Sequence, residues 1–423
     1  MRPCFGLFSS QRWYEWYQVS PLYQHPTQWR FIVFGYFRGT INLNIPSITA
    51  YTAGYGVFDW DSAANEYRLT RFTQASTEYG LFWGSTLNWV DDTTIRMHKN
   101  DTANPVYVGK MTVASNGVIT FIEPIETNCG SYAISTPSVG YYAATVGYNG
   151  AIISPYINSS GTPASNFYLG KVTASNSNVN SSALRAGLSS AAENFSVGRL
   201  GAGAGNGYAV GVMKVGSDSS SIYTGLFNVG VATPALVDTT TDAGNYTNAA
   251  ALLQIGARKS VILTDKQSIS GSCAVYYTDH DTAPTTITKG GSVTMPAAPV
   301  NPGDVLSSYI LPGFFSAINC WVSEGKAIVP IAYNMTTILP GESSPRWYVA
   351  IAKLTSTGTS DLAISLLTDD INGNPLPVDT WYNGDGHAIG NYGFQVVGGP
   401  DDKASLFWHI GATTSMEQTV VQL

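Results

Sequence analysis

The residues of this chain that could do chemistry are few and scattered. Five histidines occur (His25, His98, His280, His387 and His409), and none has an acid or base partner at a diagnostic spacing. There is no Gly-x-Ser-x-Gly nucleophile elbow and no spaced histidine pair for zinc. Asp369-Asp370-Ile371-Asn372-Gly373-Asn374 offers hard oxygen ligands, but its glycine is misplaced for a calcium loop and no acid closes the loop. Thr278-Asp279-His280-Asp281 sets acids beside a histidine. Both stretches read as polar turns between strands. The run Gly201 to Gly207 lacks the strand-then-helix setting and the Gly-Lys-Ser/Thr ending of a phosphate loop, and reads as a tight loop between two structural units. A glycosidase needs two or three acids converging on one centre. Here Asp59, Asp61, Asp91, Asp92, Asp238 and Asp401 are expected mostly in turns, and arginines are few. Cys4, Cys129, Cys273 and Cys320 are too far apart for a local zinc knuckle and read as buried thiols. The sequence predicts no catalytic residue, no metal site and no cofactor.

Binding chemistry is better represented. Trp381-Tyr382-Asn383-Gly384-Asp385-Gly386-His387 combines flat rings with short polar groups. That is the chemistry of stacking on a sugar face with hydrogen bonds to hydroxyls, and Trp381, Tyr382, Asp385 and His387 are the candidate ligand contacts. Trp83 and Trp89 flank a comparable turn. The competing reading is that such tryptophans fill space between packed sheets. A second aromatic group, Trp13, Tyr14, Trp16 and Tyr17, lies near the N-terminus and reads as an assembly arm whose rings need a surface to bury on.

Composition bounds the partners. The 423 residues carry 21 Lys and Arg against 28 Asp and Glu, a net charge of −7. Sequence-specific nucleic-acid binding, which needs clustered basic residues, is not expected. No apolar run is long enough for a membrane helix, so no membrane insertion is expected. The first ten residues make a poor signal peptide. The Asn-x-Ser/Thr sequons are about as frequent as this Asn-, Ser- and Thr-rich composition alone would produce.

Two elements must position these candidates: an extended arm over residues 1–28 and a repeated body over residues 29–423. The body repeats a short aromatic strand. Val106 to Ser115 and Phe167 to Ser175 match closely, and Trp347 to Ser356 is similar. Anchored on Tyr55, Tyr107, Tyr168, Tyr223, Tyr277, Tyr348 and Phe407, the copies are 52, 61, 55, 54, 71 and 59 residues apart. Each core is expected to be the third of four antiparallel strands, and the anchor rings are expected to pack between units. The clearest succession is Ala317 to Val322, Ala327 to Tyr333, Trp347 to Leu354 and Leu362 to Leu367. Ser115-Asn116-Gly117 predicts a tight hairpin with positive φ at both Asn116 and Gly117. Ser182 to Asn194 is at most a short helical decoration.

A repeat of this length, built of strands and turns, resembles a β-propeller over residues 29–423. The expected fold is all-β, with about seven four-stranded antiparallel blades, six being the alternative count. The texture is rich in Gly, Asn, Ser, Thr and Tyr and poor in charge and helix. It is similar to that of tailed-bacteriophage virion proteins such as the tail nozzle and receptor-binding spikes. The resemblance implies a non-enzymatic structural protein of a virion, a homo-oligomer within the particle, with other virion proteins and a host surface glycan or protein as partners. The alternatives are a stand-alone carbohydrate-binding lectin and a polysaccharide-degrading enzyme.

Overall fold

Among the described residues, runs rich in Val, Ile and aromatic residues, broken by Gly, Asn, Asp and Ser, form thirty strands and no helix. The computed structural model describes residues 14–18, 22–25, 27–39, 48–74, 86–99, 106–127, 146–149, 151–157, 167–173, 178–180, 195–200, 206–215, 221–242, 251–264, 271–297, 305–310, 321–336, 346–376, 379–382, 394–409 and 416–423.

The strands make seven antiparallel sheets. The first holds β1 (Tyr14–Gln18), β2 (Tyr23–Gln24), β3 (Arg30–Gly39), β4 (Ile48–Asp61) and β5 (Glu66–Gln74). The second holds β6 (Thr86–Trp89), β7 (Thr94–Lys99), β8 (Val106–Val113) and β9 (Ile119–Thr127). The third holds β10 (Val146–Tyr148), β11 (Ala151–Ile157), β12 (Phe167–Val172) and β13 (Asn178–Asn180). The fourth holds β14 (Phe195–Leu200), β15 (Tyr208–Val215), β16 (Ser221–Asn228) and β17 (Ala235–Asp242). The fifth holds β18 (Ala251–Gln254), β19 (Lys259–Thr264), β20 (Ser272–Thr278) and β21 (Ile287–Thr294). The sixth holds β22 (Leu306–Ile310), β23 (Trp321–Ser323), β24 (Lys326–Met335), β25 (Arg346–Thr355), β26 (Ala363–Leu366) and β27 (Asp379–Tyr382). The seventh holds β28 (Phe394–Gly398), β29 (Lys403–His409) and β30 (Met416–Gln422).

Within a sheet, sequence neighbours pair. Middle strands are buried on both faces and read as continuous apolar runs, as in β19. Outer strands alternate between exposed and half-buried positions, as in β17 and β26. In two sheets a strand position is split. β1 and β2 lie end to end along β3, and β22 and β23 lie likewise along β24.

Each sheet packs on the next, and the seventh packs on the first. Apolar clusters join the first and second sheets around Ile32 and Met111, and the fourth and fifth around Val212 and Ile262. Others join the fifth and sixth around Val261 and Val329, and the sixth and seventh around Ile328 and Leu406. The ring closes through Leu22, Phe31, Phe58, Tyr67, Val397 and Phe407. Phe31 stacks on Phe58 at 4.6 Å and meets Phe407 edge-on at 5.2 Å. The amide of Leu22 donates to Gln395 Oε1 at 2.5 Å, and Gly398 donates its N–H to Gln24 Oε1 at 2.8 Å. The Tyr67 hydroxyl donates to the Gly398 carbonyl. Seven antiparallel sheets packed in a closed ring are a seven-bladed β-propeller.

The structure departs from the sequence reading in four places. Tyr14–Gln18 and Tyr23–Gln24 are not an arm outside the propeller: they fill the first strand position of the first blade. The glycine run 201–207 falls between β14 and β15 of one blade rather than between blades. Six anchors lie in third strands, but Phe407 lies in β29, the middle one of the three described strands of the last sheet. The turn after β8 is also different. Gly117 donates to the Ala114 carbonyl at 2.8 Å and has φ of 81°, while Asn116 is not among the non-glycine residues with positive φ. It is the three-residue hairpin loop with a glycine bulge.

Phe407 sits in the closing cluster at 1 % exposure. Phe407→Ala is expected to lower unfolding free energy by about 3–5 kcal/mol, read from denaturant melts.

Candidate functional site

Strands alternate in direction, so the first-to-second and third-to-fourth turns of every blade share one face of the ring. On that face basic side chains reach from one blade to carbonyl groups of the next. Arg30 donates from Nη2 to Ser115 O at 3.1 Å, and Arg96 from Nη2 to Thr173 O at 2.6 Å. Lys171 Nζ donates to both Val229 O and Val231 O at 2.8 Å, and Lys259 Nζ to Ser356 O at 2.8 Å. Lys326 Nζ pairs with Asp402 at 2.8 Å. Burial pushes the Arg96 and Lys171 pKa values down. Charge-assisted bonds to carbonyls of the next blade offset that desolvation. Sequence reasoning missed Arg96 and Lys171. The signal was a lone cation inside an apolar strand, as in Ile95-Arg96-Met97.

The described carboxylates are similarly engaged. Asp59 bonds Arg30 at 2.6 Å and accepts from Thr70 Oγ1, and Asp238 accepts the Ile287 amide of the next blade at 2.9 Å. Asp59, Asp61 and Asp238 lie in strands rather than turns. Asp279 accepts from the Thr285 hydroxyl and the Thr285 and Thr286 amides, so Thr278–Asp281 is a capped turn, as the sequence reading held. Asp361 accepts from Thr357 and from the Gly358 amide. Asp370 closes its own turn on Asn372 and Asn374. The Ile371 amide donates to Val420 O at 2.9 Å, and Leu376 is buried between the last two blades. The Asp369–Asn374 stretch therefore fastens blade six to blade seven. Among the described residues no group of three His, Cys, Asp or Glu could hold a metal ion.

His25 is buried, with Nδ1 accepting from the Thr27 and Gln28 amides. Nε2 therefore carries the proton and donates to Asp92 O at 2.7 Å. Its ring meets Trp89 edge-on at 4.4 Å. Trp89 donates to Tyr23 O and packs between the first two blades, which is the space-filling role. Cys273 is a buried thiol whose pKa burial raises. Cys4, Cys129, Cys320, Trp83 and residues 182–194 lie outside the described residues.

Trp381 and Tyr382 lie in a strand, β27, rather than in a loop entering the last blade. β27 pairs with β25 so that Trp381 is opposite Trp347 and Tyr382 opposite Arg346. Asp385 and His387 lie outside the described residues, as does Trp13. Tyr14, Trp16 and Tyr17 are in β1, in register with Gly39, Phe37 and Tyr36.

No protein-family model and no curated protein matches the chain. Similar solved structures include a polysaccharide lyase of family 25, an ulvan lyase, at 10 % identity over 96 % of this chain and 94 % of that one, with a TM-score of 0.45. The WD40 domain of SCAP from fission yeast gives 8 % identity over 97 % and 93 %, with a TM-score of 0.42. A periplasmic gluconolactonase from Pseudomonas aeruginosa gives 10 % identity over 96 % of each chain, with a TM-score of 0.40. Likeness at this level transfers no chemistry.

Two outcomes follow from the turn face. Lys171→Met should cost about 1.5–3 kcal/mol in unfolding free energy, because two carbonyls lose a charged donor. The second concerns acid. The Thr285 hydroxyl at Asp279 and the Thr357 hydroxyl at Asp361, with nearby amides, hold both carboxyls well below their ordinary 3.8. A depressed folded value means their stabilisation is complete above the ordinary range and is lost as pH falls below it. The Asp279→Asn/Asp361→Asn variant should therefore lose less thermal stability than the parent between about pH 5 and about pH 2.

Proposed function

We propose that this propeller is a non-catalytic structural protein of a virion, in a bacteriophage tail or spike, assembling through its outer rim. The observation that carries the reading is the chemistry of that rim. In the outer strands of blades four to six the exposed positions among the described residues are Ala235, Val237, Thr239 and Thr241 in β17, Thr288, Ser292 and Thr294 in β21, and Ala363 and Ser365 in β26. All are small and uncharged. A sheet edge on a free-standing protein is usually guarded by Lys, Pro or other charge. An edge without such guards suits contact with a neighbouring subunit. Support also comes from the turn face, where described cations reach across blades and described acids pair with them or cap their own turns rather than gathering at one centre. The N-terminal aromatics are not assigned to assembly, because the backbone of β1 is paired inside the first blade. Contact with a host surface glycan or protein is assigned to the Trp381–His387 stretch.

The test is composition and exclusion. The chain should be present in purified particles in multiple copies. Val237→Lys/Thr239→Lys should melt like the parent and be lost from particles. A protein that behaves as a lone soluble monomer, or one that turns over a surface polysaccharide, overturns the reading.

A further inference from the structure

Five Asn–Gly pairs occur in the chain, beginning at Asn116, Asn149, Asn206, Asn372 and Asn383. Such a pair sets a nucleophile beside an electrophile. The glycine amide nitrogen can close on the asparagine Cγ to form a five-membered imide, because the glycine has no Cβ to stand in the way. The fold decides which pairs are free to do so. Both residues are described at Asn116, Asn206 and Asn372.

Two of these three are held. Asn116 Oδ1 accepts the Val118 amide at 3.1 Å. Gly117 is buried and donates to Ala114 O at 2.8 Å, and a Cβ on it would lie 2.9 Å from Arg71 Cγ. Asn206 Oδ1 accepts the Tyr208 amide at 3.1 Å, and its Nδ2 donates to Asp281 O in the next blade. Gly207 is buried, and its carbonyl accepts the Val229 and Gly230 amides. The third pair is open. Asn372 and Gly373 are both exposed, and a Cβ on Gly373 would meet no atom within 4 Å. Gly373 has φ of 78° and donates to Asp370 O at 3.1 Å, a longer bond than that of Gly117. The Asn372 side chain bonds the Asp370 carboxylate of its own turn.

We propose that Asn372 is a modification site, at which water converts asparagine to aspartate and isoaspartate and so loosens the joint between blades six and seven. The Gly373 nitrogen bonds to Asn372 Cγ, the Cγ–Nδ2 bond breaks, and ammonia leaves with the proton that Gly373 gives up. Water then opens the imide. Breaking its Cγ–N bond restores the ordinary backbone with a side-chain carboxylate. Breaking the bond from nitrogen to the main-chain carbon routes the backbone through Cβ and Cγ and lengthens it by one carbon. Water enters and ammonia departs, and nothing is oxidised or reduced.

Both products set a second carboxylate beside Asp370, and like charges repel there. Asp370 Oδ1 accepts the amides of Asn372 and Asn374 at 2.8 Å, so the turn depends on that carboxylate staying in place. The same turn presents the Ile371 amide to Val420 O at 2.9 Å, and the stretch ends at Leu376, buried between the last two blades. Modification therefore acts on the turn that carries the joint.

The test holds the folded full chain in mildly alkaline buffer and maps it by peptide mass spectrometry, with electron-transfer fragmentation to tell isoaspartate from aspartate. Asn372 should convert about tenfold faster than Asn116 or Asn206, the cost of freeing one hydrogen-bonded side chain. In denaturant the three rates should converge. Asn372→Gln should stay unmodified at this position, because the longer side chain does not close a five-membered ring. The modified fraction, separated by its added charge, should exchange the Ile371 amide about tenfold faster than the parent, the loss of one hydrogen bond, while β19 amides hold. Conversion at Asn372 no faster than at Asn116 and Asn206 in the folded chain, or unchanged Ile371 exchange in the modified fraction, overturns the proposal.

Discussion

Everything in this molecule depends on one constraint: the seventh sheet must meet the first. A blade alone buries too little apolar surface to be stable, so each needs a neighbour on both faces. Six interfaces join sheets that follow one another in sequence. The last joins residues more than 370 positions apart, as Leu22 to Gln395 and Gln24 to Gly398. It is the interface with the largest loop-closure entropy to overcome. Among the described residues it also holds the densest aromatic packing, with Phe31 against Phe58, Tyr67 and Phe407. Edge-on and stacked rings add directional energy to burial at the place where the chain has most to offset.

The cations serve the same end. A chain with only 21 Lys and Arg places Arg30, Arg96, Lys171, Lys259 and Lys326 across blade boundaries. Turn carbonyls between blades cannot all be satisfied by strands, because the strands end there. A long side chain carrying several N–H groups can reach across and satisfy them. Close backbone approach does the rest. A Cβ on Gly290 would lie 2.0 Å from Thr359 O, and the neighbouring Gly291 amide donates to that carbonyl.

Much of this was legible in the sequence. The repeat located six third strands because those strands carry a tyrosine in an apolar run bounded by turn residues. It misplaced Phe407 because second strands are aromatic too, as in Phe34-Gly35-Tyr36-Phe37 of β3. The first strand of blade one was not legible. Tyr14–Gln18 mixes rings with charge and amide, and what makes it a strand is pairing with Gly35–Gly39. Local propensity carries no record of such a partner. The capped turns at Asp279 and Asp370 were legible because Asp, Asn and Thr at these spacings bond their own backbone. Their use as joints between blades was not, since Ile371 to Val420 is a tertiary contact.

The unequal repeat intervals acquire a physical reading from this geometry. Turns on the bonded face run from the two residues between Ser323 and Lys326 to the eight between Thr278 and Ile287. The spread from 52 to 71 residues is therefore shared: the connections between blades, the second-to-third connections and the split of one first strand carry most of it, and the turns of the bonded face carry the rest. The longest interval, from Tyr277 to Tyr348, spans β21 to β22, the split between β22 and β23, and the β24–β25 connection. Both faces of the ring thus admit some variation in length, and the connections between blades admit the most. Trp381 and Tyr382 are held in β27 by pairing with Trp347 and Arg346, so the last element before the seventh sheet is fixed to the sixth rather than free to follow that variation.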